Sequence, residues 1–180
     1  MAKARAVFLD RDGVINRACV REGKPFPPAT ADGLELLPGV LDAMARLKQE
    51  GFLLIVVTNQ PDVGAGRQER AVVEAMHARL MTELPLDAIK VCYHVDEDGC
   101  ACRKPRPGML LEAIDEHRID PALSALVGDR WRDIGAGNAA GCRSYFIDYG
   151  YREKRPEKPY VPVKSLLDAV TRIIAAPSSR

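Results

Sequence analysis

Nothing in this sequence is apolar for long enough to cross a membrane. The longest run, residues 52–57, stops far short of the roughly 18 residues a spanning helix needs. Charge of one sign is also lacking: 26 basic and 25 acidic residues leave a net charge of +1. That balance gives neither nucleic acid nor an anionic membrane a reason to bind. The N-terminus, MAKARAVFLDRDG, has a basic start without the apolar core or cleavage site of a signal peptide, so the reading is cytoplasmic. No repeat and no linker-like stretch divides the 180 residues, and one domain over residues 1–180 is expected. Cysteine is scarce too. Of the five, Cys92, Cys100 and Cys102 gather around His94, which in a cytosolic chain points to metal before disulfide. Cys19 and Cys142 stand alone and read as packing residues.

What is present alternates between two periodicities. Residues 6–9, 52–57, 88–93, 124–127 and 143–147 are short apolar runs that read as buried strands. Between them lie helical patterns. The first opens at Pro38-Gly39 and carries Val40, Leu41, Met44 and Leu47 on one face. The second covers residues 67–84 through Val72, Val73, Met76 and Leu80. The third starts at Pro107-Gly108 with Leu110, Leu111 and Ile114, and the fourth spans residues 134–140. Residues 149–162 are charged and proline-rich and read as a surface crossing; residues 163–175 close as a helix, and residues 177–180 as a frayed end. Repeated βα units predict an α/β fold: a doubly wound parallel sheet of five strands with helices on both faces. Ligands of such sheets bind beyond the carboxyl ends of the strands. Asp10, Thr58 and Asp129 each follow a predicted strand directly, so distant residues converge on one edge.

The converging residues have a common chemistry. Asp10 and Asp12 are two apart on extended chain and can face one pocket, where a cation relieves their repulsion. Mg²⁺ between Asp10 and Asp129 suits the oxygen preference of that ion. Asp10 can then attack phosphorus, Asp12 can protonate the leaving alcohol and activate water, and Thr58 and Lys104 can steady the phosphoryl oxygens. A single such motif is ordinarily a turn or a cap. Four in order, each at a strand exit, are not.

DRDGVIN at Asp10, TNQ at Thr58, CRKPRPGM at Cys102 and VGDRWRD at Val127 resemble the four motifs of the haloacid dehalogenase superfamily of phosphohydrolases. The resemblance covers nearly the whole chain. It implies a haloacid dehalogenase-like Rossmannoid domain with Asp10 as nucleophile, Asp12 as acid and base, and Thr58 and Lys104 as phosphate ligands. It further implies Mg²⁺ on Asp10, the Asp12 carbonyl and Asp129. Asp133 would support the metal or orient Lys104, and Asn59 and Arg103 would contact phosphate or substrate.

Cys92-x-His94 and Cys100-x-Cys102 supply four ligands suited to a tetrahedral, structural Zn²⁺ in a loop over residues 92–102. This loop leads straight into Arg103 and Lys104, so folding it should set the lysine. The arrangement is similar to a subgroup without a separate cap domain, containing phosphatases of heptose 1,7-bisphosphate and of histidinol phosphate. Its implication is a small phosphorylated metabolite, a sugar phosphate, as the partner of an open site on a monomer. Within that subgroup the 7-phosphate of a heptose 1,7-bisphosphate is the expected target. Histidinol-phosphate enzymes often carry Glu-Pro after the first motif, where Asn16-Arg17-Ala18 stands here. A sugar-phosphate phosphatase of a nucleotide-sugar pathway is a further reading, and a zinc-stapled binding domain without catalysis is the rival of another class.

Two departures bear on the substrate. Pro61-Asp62 replaces the small Ser-Gly usual after this TNQ, and the zinc loop holds Asp96, Glu97 and Asp98. Both add negative charge beside the pocket and count against two phosphates. Gly135, Gly137 and Gly141 faintly resemble a dinucleotide fingerprint but lie in the wrong βα unit, so close packing is expected of them. Arg152, Lys154, Arg155 and Lys158 read as a solvated basic face, and His77 and His117 as surface residues of helices.

Overall fold

A computed structural model of the chain describes residues 3–176; the predicted frayed end at 177–180 lies outside the described residues. Continuous apolar runs make the three central strands, β1 (Arg5–Leu9), β4 (Phe52–Asn59) and β6 (Ala125–Gly128), almost entirely buried. The β2 and β3 labels belong to a small hairpin described below. Outward from the centre lie β5 (Ala88–Cys92) on one side, and β7 (Arg143–Ile147) and β8 (Val161–Val163) on the other. The sheet order is β5-β4-β1-β6-β7-β8, with every pairing parallel. This is the order of a doubly wound sheet, and the winding reverses between β1 and β6.

The sheet therefore has six strands and not the expected five. The missing one, β8, was hidden in the proline-rich crossing, and Pro162 is tolerated because β8 is an edge strand pairing only with β7. The last helix accordingly begins later than its pattern suggested, as α6 (Leu166–Ala175).

Alternation along the strands divides the core in two. Val7, Leu9, Leu54, Val56 and Val127 face α1 (Val40–Gln49), α3 (Arg70–Glu83) and α6. Ala6, Phe8, Ile55, Val57 and Leu126 face α4 (Gly108–Glu116) and α5 (Trp131–Ala139). Leu41 and Leu111, assigned to inner faces by spacing, are 55% and 48% exposed; Ala43 and Ala113 pack in their stead. Small residues there let the helices sit close to the sheet. Gly137 serves the same end on α5: a Cβ would stand 2.5 Å from Ser144 Oγ, so close packing, not a dinucleotide, explains it.

Two segments outside the expected strands and helices hold structure of their own. Residues 16–36 contain the antiparallel hairpin β2 (Cys19–Arg21) and β3 (Lys24–Phe26), turned by Glu22 and Gly23, both at positive φ as a two-residue hairpin turn requires. Cys19 lies exposed on it and is no packing residue, whereas Cys142 is buried against the α5 side of the sheet. Residues 61–67 contain a short helix, α2 (Pro61–Gly64). Among the described residues no helix is long and apolar enough to cross a membrane.

Phe8, inaccessible at the middle of the sheet, offers a direct check on the core. Phe8→Ala should cost about 3–5 kcal/mol of stability in urea unfolding, through lost burial and the cavity left behind.

Candidate active site

The chain leaves β1 in a tight loop. The Arg11 carbonyl accepts the amides of Val14, Ile15 and Asn16, and Gly13 N donates to Asn16 O at 2.7 Å. Gly13 has φ +90°, and a Cβ there would fall 1.9 Å from Asp129 Oδ2. Only glycine lets the loop lie this close to the end of β6. Asp10 N in turn donates to Val127 O at 3.0 Å, tying the nucleophile position to the neighbouring strand.

Lys104 arrives from the far side and is almost wholly buried. Its Nζ contacts Asp10 Oδ1 at 2.9 Å, Asp133 Oδ1 at 2.6 Å and the Val57 carbonyl at 2.6 Å. Burial alone would neutralise the amine, but the two carboxylates overcome it and raise the pKa. Asn59, expected to touch substrate, clamps the lysine's backbone: its Nδ2 donates to Lys104 O and its Oδ1 accepts Lys104 N, both at 3.1 Å. Asp133 orients Lys104, as one of its two expected roles, and accepts Arg130 N on its other oxygen at 2.9 Å. Thr58 is buried at the end of β4, where its Oγ1 accepts Gln60 Nε2 at 2.9 Å. The same amide nitrogen donates to Asp12 Oδ2 at 2.9 Å.

The carboxylates outnumber the cations at the floor of the site. Burial first, then Asp133, push Asp10 up to about 6 against the pull of Lys104. Asp129 is raised by burial and by the charges of Asp10 and Asp133. Its Oδ2 accepts Tyr151 OH at 2.9 Å, but its buried Oδ1 has no partner. Oxygens of Asp10, Asp129 and Asp133 lie within 4.8 Å of one another. An unpartnered carboxylate oxygen amid excess negative charge and hard donors fits a divalent ion such as Mg²⁺.

The zinc set also converges. Cys102 Sγ stands 3.0 Å from Cys92 Sγ, 3.4 Å from Cys100 Sγ and 3.2 Å from His94 Nδ1. Cys92 Sγ is 3.7 Å from Cys100 Sγ and 3.6 Å from His94 Nδ1. A tetrahedron with metal–sulfur bonds of ~2.3 Å has edges of about 3.8 Å; the two distances from Cys92 to Cys100 and His94 match it and the three from Cys102 are shorter, so the four donors gather tightly enough to suit Zn²⁺. From this loop Asp96 reaches Arg103 Nε at 2.7 Å and Arg132 at 3.0 and 3.1 Å; Arg132 also donates to the Lys104 carbonyl at 3.3 Å.

These side chains enclose a cleft of about 480 Å³ whose lining includes Asp10, Asp12, Asn59 and Lys104, with Arg103, Arg130 and Arg132 at its rim. Lys24, Pro25, Phe26 and Pro27 of the unforeseen hairpin form one wall. Two of the acidic departures are neutralised, Asp62 by Arg67 at 2.7 Å and Asp96 by the two arginines; Glu97 and Asp98 form no ion pair among the described residues. Trp131 lies outside the cleft, under Arg132 and Lys154 at 4.7 and 5.1 Å from its ring.

Four contributors carry no periodic mark in the sequence. Tyr149 and Tyr151, in the supposed surface crossing, reach Gly13 O at 3.0 Å and Asp129. Arg11, fully buried, donates to both oxygens of Asp12 at 3.0 and 2.9 Å. His77, expected at the surface, is buried on α3 and meets Arg11. The crossing is thus only partly a solvated face.

The comparisons agree with this geometry. A family model for haloacid dehalogenase-like hydrolases matches residues 26–141. Among relatives, a D-glycero-beta-D-manno-heptose-1,7-bisphosphate 7-phosphatase of Escherichia coli (strain K12) is 41% identical over 153 residues, covering 78% of this chain and 77% of that one. The Pseudomonas aeruginosa protein of the same name is 34% identical over 175 residues, covering 94% and 96%. A crystal structure of D,D-heptose 1,7-bisphosphate phosphatase from B. bronchiseptica, complexed with magnesium and phosphate, superposes with a TM-score of 0.81 at 30% identity. It covers 95% of this chain and 98% of that chain. The chain belongs to the haloacid dehalogenase-like hydrolase family. It is an enzyme, and the relatives just described are named as phosphatases.

The path from the zinc loop through Asp96 to Lys104 can be tested by metal removal. Chelation should lower the melting temperature by several degrees and kcat at saturating Mg²⁺ by about tenfold or more, both restored by Zn²⁺. Loss of stability with unchanged kcat would leave the loop a staple only.

Proposed function

We propose that the protein is a Mg²⁺-dependent phosphomonoesterase acting through an aspartyl-phosphate, with the 7-phosphate of D-glycero-beta-D-manno-heptose 1,7-bisphosphate as its target. The observation that carries this reading is the convergence of Asp10, Asp12, Thr58, Lys104 and Asp129 beyond the carboxyl ends of three adjacent strands. Asp10 attacks phosphorus, the bond to the sugar oxygen breaks, and Asp12 gives that oxygen its proton. Asp12, now a carboxylate, then takes a proton from the water that attacks the phosphoryl group, releasing phosphate and restoring Asp10. Thr58 and Lys104 donate to the phosphoryl oxygens, where charge spreads in the transition state. Mg²⁺ held by Asp10, the Asp12 carbonyl and Asp129 supplies charge neutralisation between the carboxylates and the incoming phosphate.

Three features support a substrate with two phosphates. The relatives named above carry that substrate in their names. Asp62 and Asp96, the acids that line the cleft, are each paired with arginine, which lessens their repulsion of a second anion. Lys24 lines the same cleft and, among the described residues, forms no ion pair. Zn²⁺ on Cys92, His94, Cys100 and Cys102 holds the loop that carries Arg103 and Lys104. The balance of charge fits a cytoplasmic metabolite enzyme.

The test is kcat/KM with Mg²⁺ for both heptose 1,7-bisphosphate anomers, histidinol phosphate and several sugar monophosphates. A preference of about 100-fold or more for the β anomer is expected, with Asp10→Asn inactive on all. A flat, slow profile abolished by Asp10→Asn would keep the chemistry and discard the heptose. Equal activity of wild type and Asp10→Asn would discard the mechanism.

A further inference from the structure

Arg11 has no solvent exposure, a costly position for a guanidinium unless each nitrogen is paired. Its partners are few. Nε and Nη2 donate to Asp12 at 3.3, 3.0 and 2.9 Å, and Nη1 lies 3.1 Å from His77 Nε2. A guanidinium only donates, so His77 Nε2 accepts and the ring proton sits on Nδ1. Burial and the Arg11 charge push His77 down to about 4, which keeps that neutral form at working pH. His77 belongs to the buried face of α3 with Val73, Met76 and Leu80.

Asp12 receives three side-chain donors: Arg11, Asn16 at 2.9 Å and Gln60 at 2.9 Å. Of these, only Arg11 is charged and touches both oxygens. The fork sets the plane of the carboxylate, and the bond from Nη1 to His77 sets the fork. No step of the proposed reaction uses a histidine, yet this one is buried and ends a line of contacts at the acid.

We infer that His77 is a positioning residue which, through Arg11, aims the Asp12 carboxyl at the leaving oxygen of the substrate. This rests on the assignment of Asp12 as the acid. The step it serves is the first: Asp10 bonds to phosphorus, the phosphorus–oxygen bond to the alcohol breaks, and that oxygen takes the Asp12 proton.

The step is isolated by kcat/KM, which reports events up to the first bond cleavage. A sugar alkoxide needs the proton to leave, whereas p-nitrophenolate departs without it. His77→Leu should therefore lose about 10–100-fold on the heptose bisphosphate, or on any alkyl phosphate the wild type hydrolyses. On p-nitrophenyl phosphate it should lose less than about threefold, since a weakly basic leaving group needs little acid help. His77→Gln, whose amide oxygen can accept from Arg11, should recover most of the loss. Urea midpoints confirm that the variants are folded. Should His77→Leu not fold, Arg11→Lys replaces it, because lysine keeps a charge but cannot span both Asp12 and His77. Equal losses on both substrates, or loss on neither, would overturn the inference. Asp12→Asn separates the two readings: an equal effect on both substrates there would overturn the acid assignment and the inference with it.

Discussion

Everything at the catalytic edge depends on one buried ammonium. Lys104 Nζ is held by Asp10, Asp133 and the Val57 carbonyl at the floor of the cleft, almost wholly buried. Remove it and two buried carboxylates lose their counter-charge, an error that typically costs 3–5 kcal/mol. Several otherwise unrelated features serve to keep it in place. Asn59 grips its peptide on both sides, Asp133 is fixed by the Arg130 amide, and the loop over residues 92–102 fastens the preceding Arg103 through Asp96. The lysine thus joins the ends of β1 and β4 to the loop before α4.

One cation does not balance the site. Asp10 and Asp133 share Lys104 and Asp129 has only the Tyr151 hydroxyl, while Asp12 is served separately by Arg11. This partition gives two neighbouring aspartates different environments, the usual way one site obtains two chemical roles. Asp10 sits with the group of carboxylates that calls for a divalent ion. Asp12 sits with donors that fix its direction. The remaining unpartnered oxygen of Asp129 completes the demand for a metal.

The strand ends and their motif residues were legible because an acidic residue follows the apolar run there, as Asp10 follows Leu9 and Asp129 follows Gly128. The cluster of Cys92, His94, Cys100 and Cys102 was legible because its spacing is short and its donor chemistry restrictive. Other features left weaker marks. Glu22-Gly23 is a poor advertisement for a hairpin, and Pro162 argues against a strand that an edge position nonetheless allows. Leu41 and Leu111 fit the helical spacing, yet alanines take the inner places because the helices lie close. His77 and Arg11 are polar residues whose burial follows from each other. Neither periodicity nor composition can show that. Tyr151 meets Asp129 across a proline-rich crossing, a contact that only the folded chain defines.

The nucleophile is the centre of this mechanism and can be trapped. Wild-type enzyme mixed with substrate and Mg²⁺ is quenched in acid within a turnover, treated with borohydride, and digested for peptide mass mapping. An acyl-phosphate is reduced by borohydride to an alcohol, so the mechanism predicts homoserine at position 10 and at no other acidic residue. An unmodified Asp10 under conditions of active turnover, or reduction at another residue, would contradict it.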